Sequence, residues 1–263
     1  MKKLYLLKLF LIKKEIEMLM HVLDSGSKSN CYLLYNNNEC LIIEAGVKLS
    51  RIKKALHFNM STIAGCILSH EHRDHSKYIK EYMDAGITII ANQDVFKSHN
   101  IPLDDWRVKV IQEGHGYKMG NFKILPIPAY HDVPCHAFLL DHPGSGKVLF
   151  MTDTFMSEHT FPGLNHIIIE ANFADDILEE NIRNGSVHPS MRPRLMQTHM
   201  EISTTINVLK ANDLTNVINI VLSHLSSGNS DEERFIREVR EATGKLVFAA
   251  KKGMELDFSI NPY

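Results

Sequence analysis

Residues 67–76 read ILSHEHRDHS, which sets His70, His72, Asp74 and His75 close behind a short apolar run. Imidazoles and a carboxylate this close repel one another if the rings protonate, and lose hydration if they bury. A divalent cation among them relieves both costs. Borderline imidazoles with a hard carboxylate, and no thiolate, suit Zn²⁺ and also accept Mn²⁺ or Fe²⁺. His70 and His72 stand two apart in an extended segment, so their side chains project to one side. Asp74 and His75 open the next helix and face a second position. Other apolar runs close on groups of the same kind: IPAYH on His131, VLFMTD on Asp153, IVLSH on His224 and LIIE on Glu44. If these strand ends share one rim, His70, His72 and His131 converge on one ion, and Asp74, His75 and His224 on another. Asp153 has two oxygens with which to bridge them. A dinuclear site of this kind activates water for hydrolysis.

Those residues need a scaffold of strands whose C-terminal ends meet. The chain has 263 residues, 44% hydrophobic and 23% charged, enough for one globular domain. CYLLY and CLIIEAG read as strands joined by an Asn-rich turn, residues 48–57 as a helix, and TIAGCILSH as a buried strand. Asp74–Met83 reads as one helix, followed by the strand ITIIA and a helix over 93–98. WRVKVI, FKILPIPAY, HAFLLD, KVLFMTD and HIIIEA follow as strands. The last third alternates: helix 202–211, strand VINIVLSH, helix 231–241, strand LVFAA. This is a mixed α/β layout with helices outside.

The net charge of −2 gives no global basic field, so any anion-binding surface must be local. The four cysteines, Cys31, Cys40, Cys66 and Cys135, lack CxxC spacing and read as reduced core thiols of a cytoplasmic protein. Residues 1–19 carry a basic, apolar start interrupted by Lys8 and closed by Lys13 and Lys14, with no small-residue cleavage site. They read as a peripheral extension or a non-native start ahead of Met18 or Met20, with residues 20–263 as the folded domain. The apolar stretch falls far short of the roughly 20 residues that span a bilayer, so no stable membrane insertion is expected.

HxHxDH after an apolar strand, followed by isolated His, Asp and His at later strand ends, resembles the metallo-β-lactamase superfamily. The resemblance covers residues 20–258 and implies an αββα sandwich with a two-metal site on one edge. It carries the ligand assignment over position by position, with Asp153 as the bridge. Glu44 stands where the family has Asp before Ala-Gly, and is expected to support the ligands from behind. Within the superfamily, the bridging Asp153 disfavours true β-lactamases. Glu170 in HIIIEANF and His199 in QTHMEISTT resemble the Glu-Ala-Thr and His-Ser-Thr motifs of the transfer-RNA-processing nucleases. SGSKSN, TDT, EAN, THMEIS and SHLSSGN match better the compact exonuclease-like branch, the YycJ type. No counterpart of the long exosite arm of the transfer-RNA enzymes is present.

The expectation is a two-metal phosphodiesterase, a DNA or RNA exonuclease using hydroxide held between the ions. The alternative is a small-molecule hydrolase acting on a thioester, lactone or cyclic phosphodiester. Asp74, His199 and Glu170 are the expected catalytic residues, with His199 protonating the departing oxygen. Residues 183–194 read as a loop whose Arg192 and Arg194 suit phosphate, with Arg183 and His188 nearby. Ser27, Asn30 and Asn172 complete the expected substrate contacts. Aromatic content of 8% with one tryptophan provides no extended base-stacking platform.

Overall fold

The computed structural model describes residues 18–261. Strands alternate between two buried faces. In β2 (Cys31–Tyr35), Cys31 and Leu33 enter one hydrophobic cluster and Tyr32 and Leu34 another. A strand apolar on both faces needs cover on both, and the molecule supplies it as four layers.

The first half of the chain contributes β1 (Leu19–Asp24), β2, β3 (Cys40–Ile43), α1 (Leu49–Ala55) and β4 (Ile63–Ile67). It continues with α2 (Arg73–Ser76), α3 (Ile79–Asp84), β5 (Ile89–Ala91), α4 (Gln93–Ser98) and β6 (Val108–Val110). The second sheet is built from β7 (Tyr117–Met119), β8 (Phe122–Ala129), β9 (Cys135–His142), β10 (Gly146–Met151) and β11 (Leu164–Glu170). Then come α5 (Asp175–Arg183), α6 (Met191–Thr198), α7 (Ile202–Ala211) and β12 (Asn219–Ser223). The chain closes with α8 (Glu232–Thr243), β13 (Leu246–Ala249) and β14 (Met254–Asp257).

The sheets order as β14-β1-β2-β3-β4-β5-β6 and β13-β12-β11-β10-β9-β8-β7. Met20, Tyr32, Ile43, Phe138, Phe150 and Val221 fill the space between them. Ile52, Ile79, Tyr82 and Phe96 of α1, α3 and α4 cover the outer face of the first sheet. Ile202, Leu209, Phe235 and Val239 of α7 and α8 cover the second. This is the expected αββα sandwich. All four cysteines are free and buried.

Three boundaries differ from the sequence reading. The helix expected over Asp74–Met83 breaks into α2 and α3, because tertiary bonds capture its backbone. Tyr78 N donates to Ala45 O at 2.9 Å, and His75 O accepts from Ala45 N at 2.6 Å. The segment read as a loop over 183–194 is a loop only in part, since Arg192 and Arg194 lie in the first turn of α6. The folded unit also starts before residue 20. Met18 is buried, its N–H donates to Ser259 Oγ at 3.1 Å and its carbonyl accepts from Phe258 N at 2.7 Å. Residues 1–17, and the extension read there, lie outside the described residues.

Candidate metal centre

Parallel pairing puts the ends of β3 and β4 side by side, and those of β10, β11 and β12 likewise. β8 and β10 flank antiparallel β9, so they run the same way and also end at this rim. Glu44, His70, His131, Asp153, Glu170 and His224 all sit at these ends. Glu44, Asp153 and His224 turn there with φ of 70°, 49° and 54°. Such left-handed backbone is uncommon for non-glycine residues and gathers at functional sites. Gly46 supplies the remaining closeness: a Cβ there would lie 1.9 Å from Asp74 O and 2.6 Å from Asn30 N.

His70, His72 and His131 form one group whose ligand-type atoms all lie within 4.8 Å of one another. His72 Nδ1 and His131 Nε2 are 3.2 Å apart, and the His70 ring centroid lies 4.6 and 4.9 Å from theirs. Asp74, His75 and His224 form a second group, with Asp74 Oδ2 at 3.1 Å from His75 Nε2 and 3.4 Å from His224 Nε2. Asp153 joins them: its Oδ2 lies 3.2 Å from His75 Nε2, and it groups with His70 and His75 in turn.

The rings are oriented from behind. His131 Nδ1 donates to the Thr198 carbonyl at 2.8 Å, which leaves Nε2 bare toward the cluster. His70 Nδ1 meets Ser69 Oγ at 2.8 Å, while its buried Nε2 has no hydrogen-bond partner. A buried ring nitrogen left without a partner is costly, and a cation bound by the three rings would satisfy it. Glu44 Oε1 lies 3.4 Å from His75 Nδ1, and the carboxylate is fixed by Ser69 N at 3.3 Å. Glu44 thus stands directly behind His75.

The charges also fit cations. Burial pushes the His70 pKa far down, with the neighbouring His75 adding to it. For His75 and His224 burial opposes protonation, but Asp153 and its fellow carboxylates prevail. They raise His75 well above its usual value and His224 to about 10. Asp153 is held well below the carboxylate range: burial raises it, and His224 and His75 outweigh that. A nest of carboxylates strong enough to protonate buried imidazoles is one that divalent ions would neutralise. Five imidazoles and two carboxylates, in two groups linked by a third made of His70, His75 and Asp153, fit a pair of such ions.

Beside the cluster, Glu170 Oε1 accepts from His199 Nδ1 at 2.7 Å and lies 3.4 Å from His224 Nδ1. Its other oxygen accepts the backbone N–H of Thr154 at 3.1 Å and Met200 at 3.2 Å. The His199 ring stacks on His224 at 5.3 Å and 14°. Burial disfavours charge on His199, yet Glu170 outweighs it and raises the pKa. Both residues line or back a cavity of about 170 Å³, bordered by His72, Asp74, Asp153 and His224.

Of the expected substrate contacts, Ser27 and Arg194 line this cavity. The others are placed elsewhere. Asn30 is buried and spends its Nδ2 on Gly26 O and Asp74 Oδ2, both at 3.1 Å. Asn172 is buried and donates to the His224 carbonyl at 2.8 Å. Arg192 turns to Asp175, at 3.0 and 2.6 Å, because α5 offers a carboxylate within its reach. Asp132 went unnoticed in the sequence: it lies 3.4 Å from His72 Nε2, 3.1 Å from His131 Nε2 and 3.7 Å from Arg194. Its place directly after His131 was the available signal. Ser25, whose Oγ accepts from His224 N at 3.0 Å, was also missed.

Fold and site together define a two-sheet metallohydrolase with its centre on the rim shared by both sheets. The model of the metallo-β-lactamase superfamily matches residues 25–167, and the chain belongs to that family. The chain is 23% identical over 256 residues to Exodeoxyribonuclease YycJ of Bacillus anthracis, covering 89% of this chain and 92% of that protein. The crystal structure of the metallo-β-lactamase fold protein YhfI from Bacillus subtilis superposes with a TM-score of 0.71 at 18% identity. The match covers 92% of this chain and 99% of that one. A diphosphatase of the PhnP family superposes with a TM-score of 0.62 at 14% identity, covering 91% and 96%. The protein is a metal-dependent hydrolase of this family.

Proposed function

We propose that this hydrolase cleaves phosphodiester bonds and acts as an exonuclease on DNA or RNA. The observation that carries the reading is the His199–Glu170 pair, bonded at 2.7 Å beside the ligand cluster, with His199 on the wall of its cavity and Glu170 buried behind it. With Nδ1 committed to Glu170, Nε2 is the His199 nitrogen left to hold a proton for an oxygen leaving group. Glu170 fixes the ring and favours its charged form. Arg194 faces the same cavity and offers a guanidinium to a phosphoryl oxygen. His70, His72 and His131 would hold one ion, and Asp74, His75 and His224 the other, with Asp153 shared. Two divalent ions bound there, Zn²⁺ or Mn²⁺ with Fe²⁺ also suited, supply Lewis acidity and a water made acidic enough to act near neutral pH. The likeness to Exodeoxyribonuclease YycJ supports a nucleic-acid substrate.

A second reading, hydrolysis of a small diphosphate or cyclic phosphodiester, draws on the modest volume of the cavity, about 170 Å³. Both are tested together. Metal-reconstituted protein is incubated with 5′-phosphorylated single-stranded DNA, the matching RNA, bis-p-nitrophenyl phosphate and a thioester. Cleavage of a strand supports the nuclease. Cleavage of bis-p-nitrophenyl phosphate with both strands intact supports the small-molecule reading, and thioester cleavage alone overturns both. His199→Ala is expected to lower strand cleavage by about 10²–10⁴-fold with bound metal unchanged.

A further inference from the structure

The chain has a net charge of −2, yet one face beside the metal cavity is basic. A cavity of about 350 Å³ lies between the SGSKSN turn, the start of α1 and the end of α2. Lys28, Lys48, Arg51 and Lys77 line it, together with Ser29 and Ser50, and its wall contains no carboxylate. Arg51 is already committed to Asp24 at 2.7 Å. Among the described residues, the lysines that pair with carboxylates are Lys97, Lys123 and Lys251. Lys28, Lys48 and Lys77 are not among them, and all three are exposed. Lys77 holds its ammonium over the Tyr78 ring, with Nζ 5.3 Å from the centroid.

A third depression lies between this basin and the metal cavity. It measures about 190 Å³ and is lined by Ser25, Ser27, Lys28, Ser29 and Ser227, with the Asp24 carboxylate, paired with Arg51, on the same wall. It shares Ser27 with the metal cavity and Lys28 and Ser29 with the basin. The three depressions therefore follow one another along the SGSKSN turn, and a strand laid over that turn would pass all three. The hydroxyl-bearing middle of this path lies between the reaction site and a patch of ammonium groups that pair with no carboxylate among the described residues. Backbone fixes the path in place: Asn30 N donates to Asp74 O at 2.8 Å, and Gly46 N donates to Asn30 O at 3.0 Å.

We propose that this path carries a single polynucleotide strand, and that Lys28, Lys48 and Lys77 bind its backbone phosphates away from the bond being cut. The inference rests on the phosphodiesterase reading above and adds to it where the uncut strand lies. Ammonium point charges on flexible stems contact phosphates without reading sequence. The path therefore holds DNA and RNA strands alike, and a substrate too short to reach the basin gains nothing from it.

The test uses the full-length, metal-loaded protein with Lys28, Lys48 and Lys77 all changed to Gln, and a second variant with all three changed to Arg. Each single-strand phosphate contact contributes about 0.7 to the slope of log affinity against log salt. The Gln variant is expected to lose about 2 from that slope in fluorescence-anisotropy titrations with labelled single-stranded DNA and RNA. Near 0.1 M salt its affinity falls by about 100-fold, while KM for bis-p-nitrophenyl phosphate stays within twofold of the unaltered protein. The Arg variant keeps both slope and affinity. Equal strand binding and equal salt slopes in the Gln variant and the unaltered protein overturn the path and leave the nuclease reading standing. Unaltered protein that neither binds nor cuts any strand overturns both.

Discussion

Two carboxylates that never face solvent organise the chemistry in different ways. Glu44 contacts His75 alone among the proposed ligands, at 3.4 Å, so its loss would act on the ion that Asp74, His75 and His224 are proposed to hold. Such supporting groups are worth about 10–100-fold in metal affinity. Glu44→Ala is expected to weaken one of two bound ions by that factor in a chelator competition, and equal loss of both would argue against separate sites. Glu170 touches both His199, at 2.7 Å, and the ligand His224, at 3.4 Å. Glu170→Gln should therefore lower turnover and the affinity of that same ion together, whereas His199→Ala lowers turnover alone. Loss of metal from His199→Ala, measured by elemental analysis after dialysis, would contradict this division. Asp132 sits between the two ligand histidines and Arg194, so it both orients His72 and holds the arginine at the cavity wall. Asp132→Asn should raise KM for a phosphodiester more than it lowers kcat.

The turns at the strand ends bear the strictest geometric demands. Gly46 has no room for a methyl group, since backbone oxygen and nitrogen of Asp74 and Asn30 occupy that space. Backbone cannot swing aside as a side chain can. Gly46→Ala is expected to cost about 1–3 kcal/mol of stability by overpacking and to displace Asp74 and Asn30. A variant with unchanged urea midpoint and full metal content would refute that. The strands that deliver ligands were readable because each is a short apolar run ending abruptly in a polar residue, as in CILSH and IVLSH. Helix α7 was equally plain, its apolar residues spaced to cover the second sheet and its start capped by Glu201 accepting from Ser203 N at 2.6 Å. What the pattern could not reveal was tertiary. The break between α2 and α3 depends on Ala45, some thirty residues upstream, drawing on backbone groups of His75 and Tyr78. Asn30 and Asn172 have the polar character of substrate contacts, and only their burial against Asp74 and His224 shows them to be braces. Arg192 looked free until α5 was seen to present Asp175 to it.

The sandwich is closed by its two ends meeting. β14 pairs antiparallel with β1, and the residues after it cross from the first sheet to the second. Asn219 Nδ2, in β12, donates to Asp257 O at 2.7 Å, and Phe258 packs between the sheets with the His166 ring of β11 stacked on it at 4.3 Å and 13°. His166 is fully buried, and burial pushes its pKa down to about 4. In the unfolded chain the same ring titrates near 6.5. Below that pH the unfolded chain takes up a proton that the folded one refuses, so stability present in full above about 6.5 declines as pH falls toward 4. Burial also lowers the pKa of His21 and His136, and any ions held at the metal centre would be released in acid, so the total loss mixes several sources. Replacing the ring isolates its share. His166→Phe keeps the stack on Phe258 and removes the titrating group. Between pH 7.5 and pH 5, the unaltered protein should lose about 2 kcal/mol more unfolding free energy in urea than His166→Phe does. Equal losses in the two proteins would show that the acid sensitivity of the molecule does not lie at His166, where its ends lock the sheets together.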